Sequence, residues 1–171
     1  MAFEKRIVVT FGLLISLSLC WPVQAEEEDS AVAAAERSRL LARIETVSSD
    51  SSGREMAIRN GQDRSMLCKH CHGIDGNSKR PDIPNLAGQN PSYLLEQIDM
   101  FADGRRKDFV MNTLTREFTD EDRVNLAIFY SAQKVAKQEY DPGKATRGGR
   151  IYATQCIICH GADGHGNEEE G

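Results

Sequence analysis

The feature that most constrains this 171-residue chain is a motif, Cys-x-x-Cys-His, that occurs twice, at residues 68–72 and 156–160. Each copy is followed by Gly-x-Asp-Gly. The motif is the attachment signature of c-type haem. Cysteines three positions apart on a helical turn place both sulfurs on one side, where they can form thioethers with the haem vinyl groups, and the following histidine becomes the proximal iron ligand. The sequence therefore predicts two sites for haem c, with attachment at Cys68, Cys71, Cys156 and Cys159 and iron ligation by His72 and His160.

Three other interpretations of the motifs compete with haem attachment. A structural zinc site usually brings two Cys-x-x-Cys pairs within roughly 15 to 20 residues of each other, and Cys71 and Cys156 are much farther apart. Disulfides of a thioredoxin-like oxidoreductase would call for a βαβ pattern that the sequence lacks. Coincidence is difficult to sustain for two copies that share their flanking residues. Haem attachment is the interpretation favoured over all three.

The N-terminus has the pattern of a secretory signal. Lys5 and Arg6 precede an apolar run over residues 7–19, and small residues stand at Val23 and Ala25, where a signal peptidase would read them. This predicts a signal peptide at 1–25 and a periplasmic location. A retained anchor is the alternative, although the run is short for a bilayer span.

Composition excludes several classes of protein. Only 40% of the residues are hydrophobic and 6% aromatic, which argues against a multi-span membrane protein. The net charge of −5 disfavours nucleic acid as a partner, because phosphates demand a basic surface. The same charge suits a protein that meets positively charged partner surfaces.

The chain is organised as one module written twice. Gly61 lies seven residues before Cys68, just as Gly149 lies seven residues before Cys156. The predicted domains are an acidic, Ala-rich N-terminal extension at 26–53, a first haem domain at 54–137, a linker at 138–147, and the truncated start of a second haem domain at 148–171. We expect the extension to be mobile with one marginal helix, and the linker to be flexible.

Helices account for the first module, and no convincing strand appears, so the predicted fold class is all-α. One helix over 54–68 delivers the motif. A second begins at Pro91 with Asn90 as its N-cap, and a last one begins at Thr119.

Two methionines could complete the coordination of the first iron. Met100 lies inside the second helix, where a methionine usually fills the core. Met111 lies between two predicted helices, where a side chain can reach across the haem face. The sequence favours Met111, since loops on rigid scaffolds commonly supply ligands.

These residues carry a resemblance to a family. The sequence resembles the class I cytochromes c, and more closely their tandem dihaem subclass four, over about residues 56 to 171. The resemblance rests on the motif, on the runs 84–89 and 93–97, and on Phe101, Gly104, Arg106, Met111, Leu126 and Ala127. It implies a small helical fold around each haem, tandem haem domains, His/Met ligation, and a Pro84 carbonyl that orients the ring of His72.

The chain departs from the family pattern in two places. Arg64 stands where the second module has Tyr152, the aromatic expected to pack on the last helix, so we expect Met66 or Leu67 to substitute. The counterpart of Met111 in the second module would fall beyond Gly171.

The function implied is an electron carrier without bond-making catalysis. Its expected partners are a quinol-oxidising complex or other donor and a terminal oxidase as acceptor, and peripheral association with the membrane is compatible with this role. The alternatives are a haem-binding sensor, which needs an open coordination position, and the electron-entry subunit of a larger oxidoreductase, which needs a stable partner.

Overall fold

The structure is a computed structural model and describes residues 21–137 and 139–164. Helices connected by turns and loops make up these residues, and no strand occurs among them, which confirms the predicted all-α class. The chain forms two compact units, one up to Lys134 and one from Val135. The predicted signal peptide falls almost entirely outside the described residues. No described helix has the length and apolarity needed to cross a bilayer.

The first unit contains six helices in its described residues. They are α1 (Trp21–Ser49), α2 (Ser51–Arg64), α3 (Lys69–His72), α4 (Pro91–Ala102), α5 (Phe109–Thr115) and α6 (Asp120–Ser131).

Two of the predicted helix starts are confirmed by side-chain caps. The carboxamide of Asn90 accepts hydrogen bonds from the backbone N–H groups of Ser92 and Tyr93, and Pro91 occupies the first position of α4. Thr119 and Asp122 form a reciprocal capping box at the start of α6.

The core is built where α2 and α4 pack against α6. Seven consecutive residues of α6, from Val124 to Tyr130, are buried. Helices α2 and α6 approach closely at Gly61: a Cβ there would lie 2.5 Å from the Cβ of Phe129 and still closer to the carbonyl oxygen of Asn125. Only glycine fits this position.

Helix α1 differs from the mobile extension that the sequence predicted. Leu40 is fully buried and Ile44 is 4% exposed, and both belong to the same core as α4 and α6. Arg37 pairs with Glu96 of α4 at 2.8 Å, and Arg39 pairs with Asp120 of α6. The few apolar residues of α1 therefore pack against α4 and α6, a contact that the sequence pattern of α1 alone does not reveal.

Arg64 stands where an aromatic residue is expected, and it makes a cation–π contact and an ion pair instead. Its guanidinium carbon lies 4.4 Å from the centre of the Phe118 ring, and its Nε is 2.9 Å from a carboxylate oxygen of Asp122. Met66 and Leu67 are 61% and 57% exposed, so the prediction that either one substitutes in the packing is wrong.

The second unit consists of α7 (Pro142–Ile151), a π-helical turn (Tyr152–Cys156) and α8 (Ile157–His160) in its described residues. Helix α7 begins within residues 138–147, the segment predicted as a flexible linker. It forms because Asp141 accepts hydrogen bonds from the N–H groups of Gly143 and Lys144, and Pro142 favours the first turn. Nothing described lies within 4 Å of a Cβ placed on Gly149, unlike its counterpart Gly61.

Candidate haem site

The first Cys-x-x-Cys-His motif forms a single helical turn. The N–H groups of Cys71 and His72 donate to the carbonyl of Cys68 at 3.1 and 2.9 Å. Both cysteines are free thiols and partly exposed, so they remain available for covalent attachment. The turn stops at Gly73, whose φ of 86° suits glycine and directs the chain away from the helix.

His72 is held in an orientation suited to ligating a metal. It is 7% exposed, and its Nδ1 donates to the carbonyl oxygen of Pro84 at 2.9 Å. This confirms the hydrogen bond that the family resemblance implies. With Nδ1 protonated, Nε2 carries the lone pair that can bind iron. The hydrogen bond to the carbonyl makes Nε2 a better electron-pair donor to the metal.

Met111 lies on a helix rather than in the loop that the sequence indicated. It occupies the first turn of α5, where its N–H donates to the Asp108 carboxylate at 2.9 Å. Its carbonyl accepts from the Thr115 hydroxyl at 2.9 Å. The backbone of this residue is therefore fixed on both sides, while its side chain is only half-buried.

Met100 does not fill the core as the sequence suggested. It is half-buried on α4 and lies outside the buried core of the first unit. Its sulfur accepts a hydrogen bond from Nε2 of Gln97 at 3.8 Å.

Large apolar side chains are exposed beside the candidate ligands in sequence. Ile74 follows the motif and is 81% exposed, while Phe109 and Val110, at 88% and 54%, precede Met111. Two thiols, a pre-oriented histidine, a thioether and exposed apolar side chains are the features that a porphyrin needs, because it is apolar on its faces and its iron needs donors. In the described part of the chain, no group of three or more His, Cys, Asp or Glu side chains could hold a bare metal ion.

The second motif is built differently. His160 is exposed, and the described residues provide no hydrogen bond to its ring. The hydroxyl of Tyr152 instead donates to the backbone carbonyls of His160 and Gly161, at 3.2 and 2.6 Å. Cys156 and Cys159 are free thiols here as well.

Sequence reasoning missed the surroundings of Cys68. Burial raises the pKa of this thiol, and the neighbouring Tyr130 hydroxyl and Arg64 guanidinium oppose the rise. The spacing of Tyr130 within α6 marks a buried face of the helix but does not indicate what its hydroxyl contacts.

Comparison with known proteins is consistent with this geometry. No family model matches the chain. Cytochrome c4 of Pseudomonas aeruginosa is 38% identical over 114 residues, which cover 62% of this chain and 57% of the relative. Cytochrome c-554(548) of Halomonas halodenitrificans is 38% identical over 77 residues, covering 43% of this chain and 93% of the relative.

A solved structure extends the likeness to the fold. Reduced recombinant cytochrome c4 from Pseudomonas stutzeri superposes with a TM-score of 0.58 at 32% identity, over 64% of this chain and 66% of that one. The chain spans less than two thirds of the length of the cytochrome c4 proteins that it matches in sequence. Similarity over nearly the whole of cytochrome c-554(548), together with the shared helical fold, shows that the chain belongs to the class I c-type cytochromes, electron-transfer proteins that bind haem c, and that it resembles their dihaem cytochrome c4 branch.

Proposed function

We propose that this chain is a periplasmic electron carrier that passes single electrons between respiratory-chain components. The observation that carries the proposal is the hydrogen bond from His72 Nδ1 to the Pro84 carbonyl, at the end of a turn that presents two free thiols. It prepares the imidazole to ligate iron before any partner binds. When bound, haem c supplies the one-electron change.

The residues around the motif restrain the site. Cys68 and Cys71 would anchor the group covalently, and His72 would hold its iron. Because His72 is buried and its ring is fixed by a carbonyl, it has little freedom to rearrange when the charge of the iron changes. A carrier benefits from this rigidity, since ligand rearrangement would slow electron transfer.

Met111 is the proposed sixth ligand. Its backbone is fixed by Asp108 and Thr115, which leaves the half-buried thioether as the mobile part. The sulfur of Met100 already accepts a hydrogen bond from Gln97, and ligation would have to compete with that contact. A thioether ligand raises the haem potential and closes the coordination shell.

Paired methionine variants test this assignment. Met111→Ala should abolish the far-red sulfur-to-iron absorption band of the oxidised protein and let carbon monoxide bind the reduced first haem. Met100→Ala is the matched control, because it removes the same side chain from the neighbouring helix, and it should leave the band in place. The reverse pattern would move the ligand role to Met100, and a Met111→Ala protein that keeps the band would refute the assignment.

A second haem at Cys156, Cys159 and His160 is also proposed. Pyridine haemochrome analysis should give two haems per polypeptide in the wild-type chain and one in the Cys156→Ala, Cys159→Ala variant. Since no described residue provides the ring of His160 with a carbonyl like that of Pro84, we expect the second haem to be the more accessible to carbon monoxide. A single haem in the wild-type chain would contradict this part of the proposal.

Location and partners are proposed from the N-terminal pattern and the family. Mass spectrometry of the intact periplasmic form should give the mass of a chain that begins at Glu26 and carries haem. Full-length precursor recovered in membranes would indicate a retained anchor. The proposed donor is a quinol-oxidising complex and the proposed acceptor a terminal oxidase, through small transient interfaces. A stable copurifying oxidoreductase would instead identify an electron-entry subunit.

A further inference from the structure

Tyr130 has a buried hydroxyl group without a hydrogen-bond partner among the described residues. The residue lies near the end of α6 and is 3% exposed. Its ring packs against Phe129 with the ring centres 4.8 Å apart, and a Cβ on Gly76 would lie 2.8 Å from it. The hydroxyl oxygen is shielded from solvent and makes no hydrogen bond to any described residue.

An unpaired buried hydroxyl is costly. Leaving such a group without a partner destabilises a protein by about 1 to 3 kcal/mol, and phenylalanine would fill the same space without that cost. A tyrosine at this position therefore points to an acceptor that is absent from the polypeptide alone.

The Cys68 sulfur is one of two polar groups that neighbour this hydroxyl. Cys68 packs against the core cluster that contains Tyr130. Burial raises the pKa of Tyr130, and the Cys68 sulfur raises it further. The other polar neighbour is Ser65, which is 1% exposed and whose hydroxyl donates to the carbonyl of Gln62 at 2.7 Å.

We propose that the Tyr130 hydroxyl donates a hydrogen bond to the Cys68 sulfur once that sulfur has become a haem thioether, which makes Tyr130 a positioning residue of the first haem site. The inference rests on the function proposed above.

The chemistry of attachment explains why the bond would appear only then. When Cys68 adds across a vinyl group, its S–H bond breaks, a C–S bond forms, and the hydrogen goes to the neighbouring vinyl carbon, so no oxidant or reductant is needed. Thiol and thioether sulfurs are both weak acceptors, but the thioether sulfur has no hydrogen of its own and can only accept. Attachment thus supplies the buried hydroxyl with its missing partner.

The bond has an electronic consequence at the first haem. A hydrogen bond to the sulfur withdraws electron density from the edge of the ring and favours the reduced state. Only the difference in strength of this bond between the two redox states changes the potential, and for a weak sulfur acceptor we expect it to change the equilibrium constant for reduction by at most about two- to threefold, which corresponds to the low end of hydrogen-bond strengths. At 59 mV per tenfold change for one electron, this is about 18 to 28 mV.

Tyr130→Phe in the holoprotein tests the proposal, because it keeps the ring and removes only the hydroxyl. We expect the variant to retain covalent haem, to show a shifted carbon–sulfur stretching band by resonance Raman spectroscopy, and to have a lower potential for the first haem by the amount above. Tyr93→Phe is the matched control, because its side chain is 46% exposed, and it should change neither readout.

Two results would overturn the proposal. One is a Tyr130→Phe protein whose Raman band and potential match those of Tyr93→Phe. The other is a Ser65→Ala variant that reproduces both shifts, which would identify Ser65 as the acceptor.

A measurement on the wild-type holoprotein covers the case in which Tyr130→Phe does not fold. Proton NMR of the reduced form should show a slowly exchanging tyrosine hydroxyl proton with a nuclear Overhauser effect to the methyl group beside the Cys68 sulfur, and its absence would refute the bond. A wild-type chain with no haem at Cys68 would overturn the proposed function as well, which distinguishes the two failures.

Discussion

Replacing Leu40 tests whether α1 is part of the folded unit. Leu40 is fully buried in the core, and Val32 on the same helix is 66% exposed. Truncating a buried leucine to alanine costs about 2 to 5 kcal/mol, which combines lost burial with the cavity left behind. The same truncation at an exposed position usually changes stability by no more than about 0.5 kcal/mol.

The expected difference is large enough to measure by urea unfolding followed by far-ultraviolet circular dichroism. With a slope of about 2 kcal/mol per molar urea, Leu40→Ala should lower the midpoint by about 1 to 2.5 M, and Val32→Ala by no more than about 0.3 M. Hydrogen exchange should locate the loss in α1 and in the ends of α4 and α6 that it contacts. Equal midpoints for the two variants would refute the docking of α1 and restore the mobile extension expected from the sequence.

Three further predictions concern helix packing, pH and haem attachment. Gly61→Ala should lower the free energy of unfolding by about 3 kcal/mol, because its methyl group would collide with α6, whereas the matched Gly149→Ala should raise helicity slightly by circular dichroism. Burial raises the pKa of Asp99, although the Arg123 guanidinium, 3.0 Å away, opposes the rise. The native state therefore holds this proton more tightly than the unfolded chain, and stability falls as pH rises from about 4 through the raised value. Asp99→Asn should flatten that part of a profile measured by urea unfolding at several pH values, and an unchanged profile would contradict the assignment. The Cys68→Ala, Cys71→Ala variant should lose the covalent haem of the first unit on denaturing gels stained for haem, and full haem content would show that the motif has been misinterpreted.

The correct predictions about this protein came from the spacing of residues that lie close together in the sequence. A Cys-x-x-Cys-His motif closes within one helical turn, so its geometry follows from residues 68–72 alone. Asn90 and Thr119 cap helices through bonds to residues two or three positions away, and such contacts can be recognised without the fold. The all-α class followed from the same short-range patterns.

Tertiary contacts decided what the sequence pattern left open or placed wrongly. Leu40 is buried because α1 meets α4 and α6, and Arg64 serves in place of an aromatic residue because Phe118 and Asp122 come beside it from distant positions in the chain. The unpaired Tyr130 hydroxyl near Cys68 is visible only once Cys68 has packed against the core to which α6 belongs. Whether a side chain is buried or paired depends on which surfaces come into contact. The sequence of one segment does not specify those contacts.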